Sequence, residues 1–318
     1  MESVSCNLCG ATEATAWYEL PDYLLRRADV SAQLVRCCRC GRVYQNPRPT
    51  LAEMGANYPA EYESYAPEPG EGSWLMGQAV QYGVAKRARF VTRHKQSGRL
   101  LDVGCASGIF LRGMRAQAAW KVYGVEINPE TAQLARERYG LDILTGTLEQ
   151  AAFPDGFFDV VTMWDVLEHL HDPASSVREV HRILKADGVF VMRVPNLDSH
   201  DARLFGRFWA GLDAPRHLFV FSPQTLNAVL GSNGFRTVTW SCGIGAYTTF
   251  LLSLRFWAAA QARTSRVRDG LIRFLYHPVI RLLSAPVFQL RSLGLHGPSI
   301  VVAAARQPQI IARDTYAQ

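Results

Sequence analysis

The 318-residue sequence contains no internal repeat and no low-complexity segment, which excludes a solenoid and a disordered tether. It has no run of about 18 apolar residues free of charge, so no transmembrane helix is expected. The start, Met-Glu-Ser-Val-Ser-Cys, lacks a basic n-region and an apolar h-region, so no signal peptide is expected either. Charged residues are sparse at 19% against 48% hydrophobic, the balance of a folded globular protein with room for one α/β domain and accessory pieces. Acids are outnumbered 28 to 34, leaving a net charge of +6. That mild bias suits RNA, a membrane surface or an acidic small molecule and does not choose among them.

The most informative absence is one glycine. Arg99-Leu-Leu-Asp-Val-Gly-Cys-Ala-Ser-Gly108 runs from an apolar strand into a glycine loop, and Ile109-Phe-Leu-Arg112 then starts a helix. A dinucleotide site needs G-x-G-x-x-G so that a diphosphate can lie on bare backbone. Here Gly104, Cys105, Ala106 and Gly108 form the loop, with Ala106 at the middle position and Asp102 just before it. A carboxylate there repels a diphosphate and suits a cationic, phosphate-free ligand. One βαβ unit later, Val122-Tyr-Gly-Val125 ends in Glu126, followed by Ile127, where an acid can accept hydrogen bonds from ribose hydroxyls. S-adenosylmethionine (SAM) has an α-ammonium, a sulfonium and an adenosine, and fits both carboxylates. A nucleotide-sugar or NAD-binding Rossmann unit is the alternative, but it leaves Asp102 and Ala106 unexplained.

With these motifs the chain resembles the class I SAM-dependent methyltransferases over residues 99–242 and 298–306. The resemblance implies an α/β fold: a Rossmann-like seven-stranded sheet with helices on both faces. It implies adenine near Gly146-Thr147-Leu148, and Trp164 as core or adenosine contact. It also implies a cytoplasmic location, since the methyl donor is a cytosolic metabolite. Asp165-Val-Leu-Glu-His-Leu170 resembles the segment after the fourth strand in small-molecule methyltransferases such as those of quinone biosynthesis, and Pro215-Arg-His-Leu-Phe-Val-Phe-Ser222 is similar to the same group.

Five of the seven cysteines lie in the first 50 residues. Cys6-Asn-Leu-Cys9-Gly10 and Cys37-Cys-Arg-Cys40-Gly41 are two C-x-x-C-G knuckles. Zinc needs four soft ligands at tetrahedral corners, and each knuckle supplies two from one tight turn. A redox dithiol and free thiols are the alternatives; Cys38 is the spare. With the Val43-Tyr-Gln-Asn-Pro-Arg-Pro-Thr50 exit, the block resembles an amino-terminal zinc ribbon carried by one group of bacterial methyltransferases, often in cell-surface polysaccharide or natural-product pathways.

The expected organisation is a zinc ribbon at 1–50, a linker and helix at 51–98, a SAM-binding core at 99–243, a helical insertion at 244–297, the last strand at 298–306 and a tail at 307–318. The first helix is expected over 74–95, with Leu75, Ala79, Tyr82, Ala85 and Phe90 as its apolar positions. A further helix is expected over 173–185, stopped by Asp187-Gly188, and the fifth strand over 189–194. The insertion mixes Arg255, Arg263, Arg266, Arg268, Arg273, Arg281 and Arg291 with aromatics and leucines against one acid, Asp269. It reads either as helices lying on the inner membrane surface or as a cap packed on the sheet.

Methyl transfer needs alignment, a dry pocket and, for an O–H acceptor, a place for its proton. His169 and His217 are the candidate bases, with Asp165 as a possible orienter; either histidine could equally be structural. Glu168 reads as a helix cap. The Asn/Asp-Pro-Pro-Tyr signature of exocyclic-amine methylation is absent after the fourth strand. A small-molecule, glycan or lipid-linked acceptor is the favoured partner. The alternatives are an RNA methyltransferase whose ribbon binds nucleic acid, disfavoured because Arg36, Arg39 and Arg42 face Glu13, Glu19, Asp22 and Asp29, and a non-catalytic SAM-binding scaffold. The oligomeric state is not readable from the sequence.

Overall fold

The computed structural model describes residues 1–58, 74–261, 270, 274–275, 277–291 and 294–307. Most of the expected linker, Arg263, Arg266, Arg268, Asp269, Arg273, Tyr276 and the side chain of Leu75 lie outside the described residues.

Two sheets organise the chain. The larger has seven strands in the order β10-β11-β8-β7-β4-β5-β6. Its strands are β4 (Gly98–Val103), β5 (Trp120–Glu126), β6 (Asp142–Thr145), β7 (Phe158–Trp164), β8 (Leu184–Pro195), β10 (Phe235–Ser241) and β11 (Ser299–Arg306). The five strands from β8 to β6 run parallel; β11 enters antiparallel between β8 and β10. The apolar runs explain the placement. Leu100, Leu101, Val160, Val161, Val191, Ile300 and Val301 are all fully buried, as strands covered on both faces must be. The crossover helices are α3 (Ile109–Arg115), α4 (Pro129–Tyr139) and α5 (Pro173–Ile183). Asn128 caps α4 with Pro129 in its first turn, and Asp172 caps α5 with Pro173 behind it. The strand order reverses between β4 and β7, and ligands bind outside the carboxyl ends of the strands at such a point.

Several local expectations need correction. The helix expected over 173–185 ends at Ile183, because Leu184 already takes an extended conformation and pairs with Phe158; the fifth strand begins there rather than at 189. The helix α2 (Trp74–Thr92) presents a different face from the expected one. Tyr82 and Ala85 are exposed, while Val84, Ala88 and Val91 are buried with Phe90. Gly113 of α3 sets that rotation: a Cβ there would lie 2.4 Å from Val84 Cγ1, so α2 and α3 approach side chain to bare backbone.

The smaller sheet has the order β1-β2-β3-β9, all antiparallel: β1 (Ala14–Asp22), β2 (Arg27–Cys37), β3 (Val43–Gln45) and β9 (Phe219–Val220). The fourth strand comes from the far end of the chain. Val43 pairs with Val220 and Tyr44 with Phe219, and Phe221 then bridges to Asn196 just past β8. The amino-terminal sheet therefore joins the large sheet through one short strand. The remaining helices are α1 (Leu51–Met54), α6 (His200–Phe205) and α7 (Pro223–Ser232), the last packed on β10; α8 (Ala246–Ala260) and α9 (Pro278–Arg291) precede the last strand. Among the described residues no helix is long and apolar enough to cross a membrane.

Candidate active site

The crevice is built first from the loop after β4. Gly104 has φ +66, and a Cβ there would lie 2.7 Å from Val166 Cγ2; Gly108 has φ +75, and a Cβ would lie 2.6 Å from Leu141 Cδ1. Glu126 at the tip of β5 ties the loop down: Oε2 accepts from the Ala106 N–H at 2.8 Å and Oε1 from the Asn128 N–H at 2.9 Å. The N–H groups of Gly104 and Cys105 go to the Val125 carbonyl, and that of Gly108 goes to Cys105. With most of its donors engaged inside the protein, the loop is poorly suited to cradle a diphosphate. What fronts the crevice is two carboxylates. Three backbone N–H groups, of Asn128, Ala106 and Ile127, bond the carboxylate, which leaves part of its accepting capacity for a ligand hydroxyl. Asp102 is buried and accepts from Thr162 Oγ1 at 2.6 Å. Burial pushes the Asp102 carboxyl up to about 7, with Glu126 adding to the rise and Thr162 and Arg87 opposing it. Burial also raises Glu126, against the pull of its backbone N–H donors. The pair fits a ligand with a cationic end and a vicinal diol.

The other cofactor candidates sort by burial. Cys105 is buried, and its sulfur would lie 2.8 Å from a Cβ on Gly124, so it packs under β5. Ile127 is 64% exposed at the crevice rim. Thr147 follows Gly146, whose N–H donates to the Glu126 carbonyl at 2.9 Å, while the Leu148 side chain is buried in the core. Trp164 packs edge-on against Phe110 with centroids 5.4 Å apart, and the Arg87 guanidinium lies over both rings.

A second cluster sits beyond the carboxyl end of β7. His169 and His217 meet edge to face with centroids 4.5 Å apart, although 48 positions separate them in sequence (217 − 169). His169 Nδ1 lies 2.8 Å from the Tyr58 hydroxyl and 3.1 Å from the Arg216 carbonyl. His217 Nδ1 donates to the Gly211 carbonyl at 2.9 Å. Burial pushes His169 well below the ordinary imidazole range, with His217 adding, and burial lowers His217 too. Both rings are held neutral. Glu168 does not cap a helix. It is fully buried in a short 3-10 turn, and among the described residues nothing hydrogen-bonds either carboxylate oxygen. Burial lifts it to about 8. Asp165 is placed elsewhere: its carboxylate is ion-paired with Arg193, Oδ1 accepting from Nε at 2.8 Å, and it orients neither histidine.

What holds this cluster was not visible in the sequence. Arg216 is fully buried and forked between Asp22, at 2.7 and 2.9 Å, and Asp213, at 2.7 and 3.1 Å. Those hydrogen bonds raise the Arg216 pKa against burial. Asp22 belongs to β1, so the amino-terminal sheet positions the loop that carries His217. The only sequence signal was the Pro215-Arg-His triplet, which marked Arg216 without revealing its partners.

The four cysteines Cys6, Cys9, Cys37 and Cys40 converge at the other end of that sheet, their sulfurs all within 4.8 Å of one another. Cys6 and Cys40 sulfurs are 3.5 Å apart, as are those of Cys9 and Cys37, and none is in a disulfide. Gly10 and Gly41, at φ +74 and +72, close each turn with N–H bonds to the Cys6 and Cys37 carbonyls. The chemistry of the set, four soft thiols at tetrahedral reach, fits zinc. Cys38 is exposed and outside the group. Arg42 is not a surface base: it is buried over the rings of Phe219 and Phe221 at 4.6 and 4.9 Å.

The profile of the family described as methyltransferase domain matches residues 78–239, half of the chain. The chain belongs to this family. The methyltransferase domain thus covers β4 to β10 and the carboxylate crevice. Over 137 residues the chain is 37% identical to a probable S-adenosylmethionine-dependent methyltransferase of Mycolicibacterium smegmatis, covering 42% of this chain and 49% of that protein. Over 219 residues it is 28% identical to a ubiquinone/menaquinone biosynthesis C-methyltransferase of Geotalea uraniireducens, covering 59% of this chain and 92% of that one. The chain thus spans about half the length of the first of these relatives. A SAM-dependent methyltransferase structure from Archaeoglobus fulgidus aligns with TM-score 0.49 and 20% identity over 77% of this chain and 99% of its own.

Proposed function

We propose that the chain transfers a methyl group from SAM to a small-molecule acceptor. The observation that carries this is the pair of buried carboxylates, Asp102 and Glu126, on a glycine loop whose N–H groups are engaged internally, in a chain of the methyltransferase-domain family. SAM, when bound, supplies the electrophilic methyl carbon and the thioether leaving group. Glu126 holds a ribose diol, Asp102 faces the cationic end, and the walls of Trp164, Phe110 and Leu148 exclude water. His169 and His217, both neutral, are the side chains beyond β7 that can accept a proton from the acceptor when no ion occupies them. The relatives, which include a methyltransferase of quinone biosynthesis, support a small acceptor. Calorimetry tests the donor site: Glu126→Ala should weaken SAM binding at least tenfold, about 1.4 kcal/mol. Unchanged affinity would sink the assignment, and a one-methyl mass gain in candidate acceptors would identify the substrate.

Zinc held by Cys6, Cys9, Cys37 and Cys40 belongs to this reading as a structural ion. A lipid-linked acceptor, reached from the cytoplasmic membrane face, has one observation in its favour. On α9, Val279, Leu282, Leu283, Val287 and Leu290 are each at least half exposed and fall at helical spacing. The charges there turn inward: Arg291 pairs with Asp201 at 2.5 Å and Arg281 lies over Tyr247. The contact with lipid would be apolar rather than made by arginines.

A further inference from the structure

We propose that Glu168, His169 and His217 form a second metal site, separate from the four cysteines, for a divalent ion of the zinc, manganese or iron class. One ligand atom from each of the three lies within 4.8 Å of the other two. Two histidines and one carboxylate are a donor set that first-row divalent ions take.

Three independent features point to a ligand. The first is the carboxylate. Glu168 is fully buried and, among the described residues, nothing bonds either of its oxygens. A buried carboxylate without a hydrogen bond or a cation is strongly disfavoured, and a bound cation removes that penalty. The second is the orientation of the rings. A carbonyl oxygen only accepts, so the bond from His217 Nδ1 to the Gly211 carbonyl fixes the proton on Nδ1. His169 Nδ1 is likewise engaged from behind, by the Tyr58 hydroxyl at 2.8 Å and the Arg216 carbonyl at 3.1 Å. Each ring is left with its Nε2 for an ion, and metal-binding histidines are normally fixed in this way from behind. The third is charge. Arg216 and Arg27 are both taken up by Asp22 and Asp213, so these two cations do not offset Glu168.

Ion binding itself needs no SAM; only the consequence rests on the methyl-transfer reading. With the ion bound, the two Nε2 atoms are ligands and no longer take a proton; an acceptor hydroxyl reaching this wall would meet the ion through oxygen, be acidified by it and release its proton to water.

The test is a cobalt(II) titration of the full chain after metal removal under reducing conditions. The first equivalent at the four thiols gives an intense thiolate-to-cobalt charge-transfer band. A second equivalent is expected with only weak visible bands of nitrogen and oxygen ligation. Glu168→Gln and His217→Gln should each weaken the second site by about tenfold or more while the thiolate band stays intact. SAM calorimetry on the same samples reports folding of the crevice, so failure of the donor site and failure of the ion site are read separately. Manganese(II) paramagnetic resonance on the unmutated chain needs no variant at all. Saturation at one cobalt per chain, or a second site unmoved by both substitutions, would overturn the proposal.

Discussion

The most quantitative expectation concerns Asp102 and pH. Burial holds its carboxyl near 7, far above an exposed aspartate, so in the free protein it is half protonated at neutrality. A cationic ligand end facing this group binds the ionised form. Lowering the pH therefore removes the competent form. The ionised fraction falls from roughly a quarter at pH 6.5 to about 3% at pH 5.5, and apparent SAM affinity should fall about 8-fold, ~1.2 kcal/mol. The window stops at pH 6.5 because the ligand's own α-ammonium, with an ordinary pKa of about 7.7–8.0, loses protons above that. Calorimetry in two buffers of different ionisation enthalpy reads the linked proton directly: nearly one released per SAM at pH 5.5, about three quarters of one at pH 6.5. Asp102→Asn keeps the hydrogen-bonding shape but cannot ionise. Its affinity should be low and nearly flat across the window, with Glu126 accounting for any remaining slope. Flat affinity in the unmutated chain, or an unchanged slope in Asp102→Asn, would refute the assignment of Asp102 to the cationic end.

Other expectations follow from the two sheets. Arg216→Ala leaves Asp213 without this cation and Asp22 with Arg27 as its remaining ion pair, and should cost about 3 kcal/mol, seen as a large fall in the thermal midpoint; a change of under a degree would show that the fork contributes little. Metal analysis of freshly purified, reduced protein should find zinc, and Cys9→Ser should lose the ion at the four thiols while leaving SAM binding largely intact, since Glu126 and Asp102 lie in the other sheet. Leu282→Asp with Leu283→Asp should abolish co-sedimentation with anionic liposomes and leave SAM affinity alone; an unmutated chain that never pellets ends the membrane reading.

The geometry of the candidate donor site was legible because it is local. Asp102, the glycines and Glu126 lie within one strand–loop–helix–strand unit, and short range decides their geometry. The cysteine knuckles were legible for the same reason: each pair is fixed by its own turn. Long-range pairings were not. Nothing near Phe219 announces that two residues will complete a sheet begun at Ala14, and the Asp22–Arg216 pair spans 194 positions. Arg42 looked like surface charge because its aromatic cover comes from that same distant strand. Asp165 was set beside the histidines because it is near them in sequence, but the turn at φ +57 swings its carboxylate to Arg193 on the neighbouring strand.

The single pairing of β3 with β9 also bears on how this chain can be cut. A core begun at residue 51 would keep every residue of the carboxylate crevice and every strand of the large sheet. It would also leave Phe219 and Val220 as a bare sheet edge. The aromatic faces that Arg42 covers would be open to water, and Arg216 would lose its partner on β1. Exposed, unpaired and apolar, such an edge is a template for association between chains. The cysteine-bearing sheet is therefore not a detachable tag: removing it should yield a fragment that still carries Asp102 and Glu126 and sticks to itself.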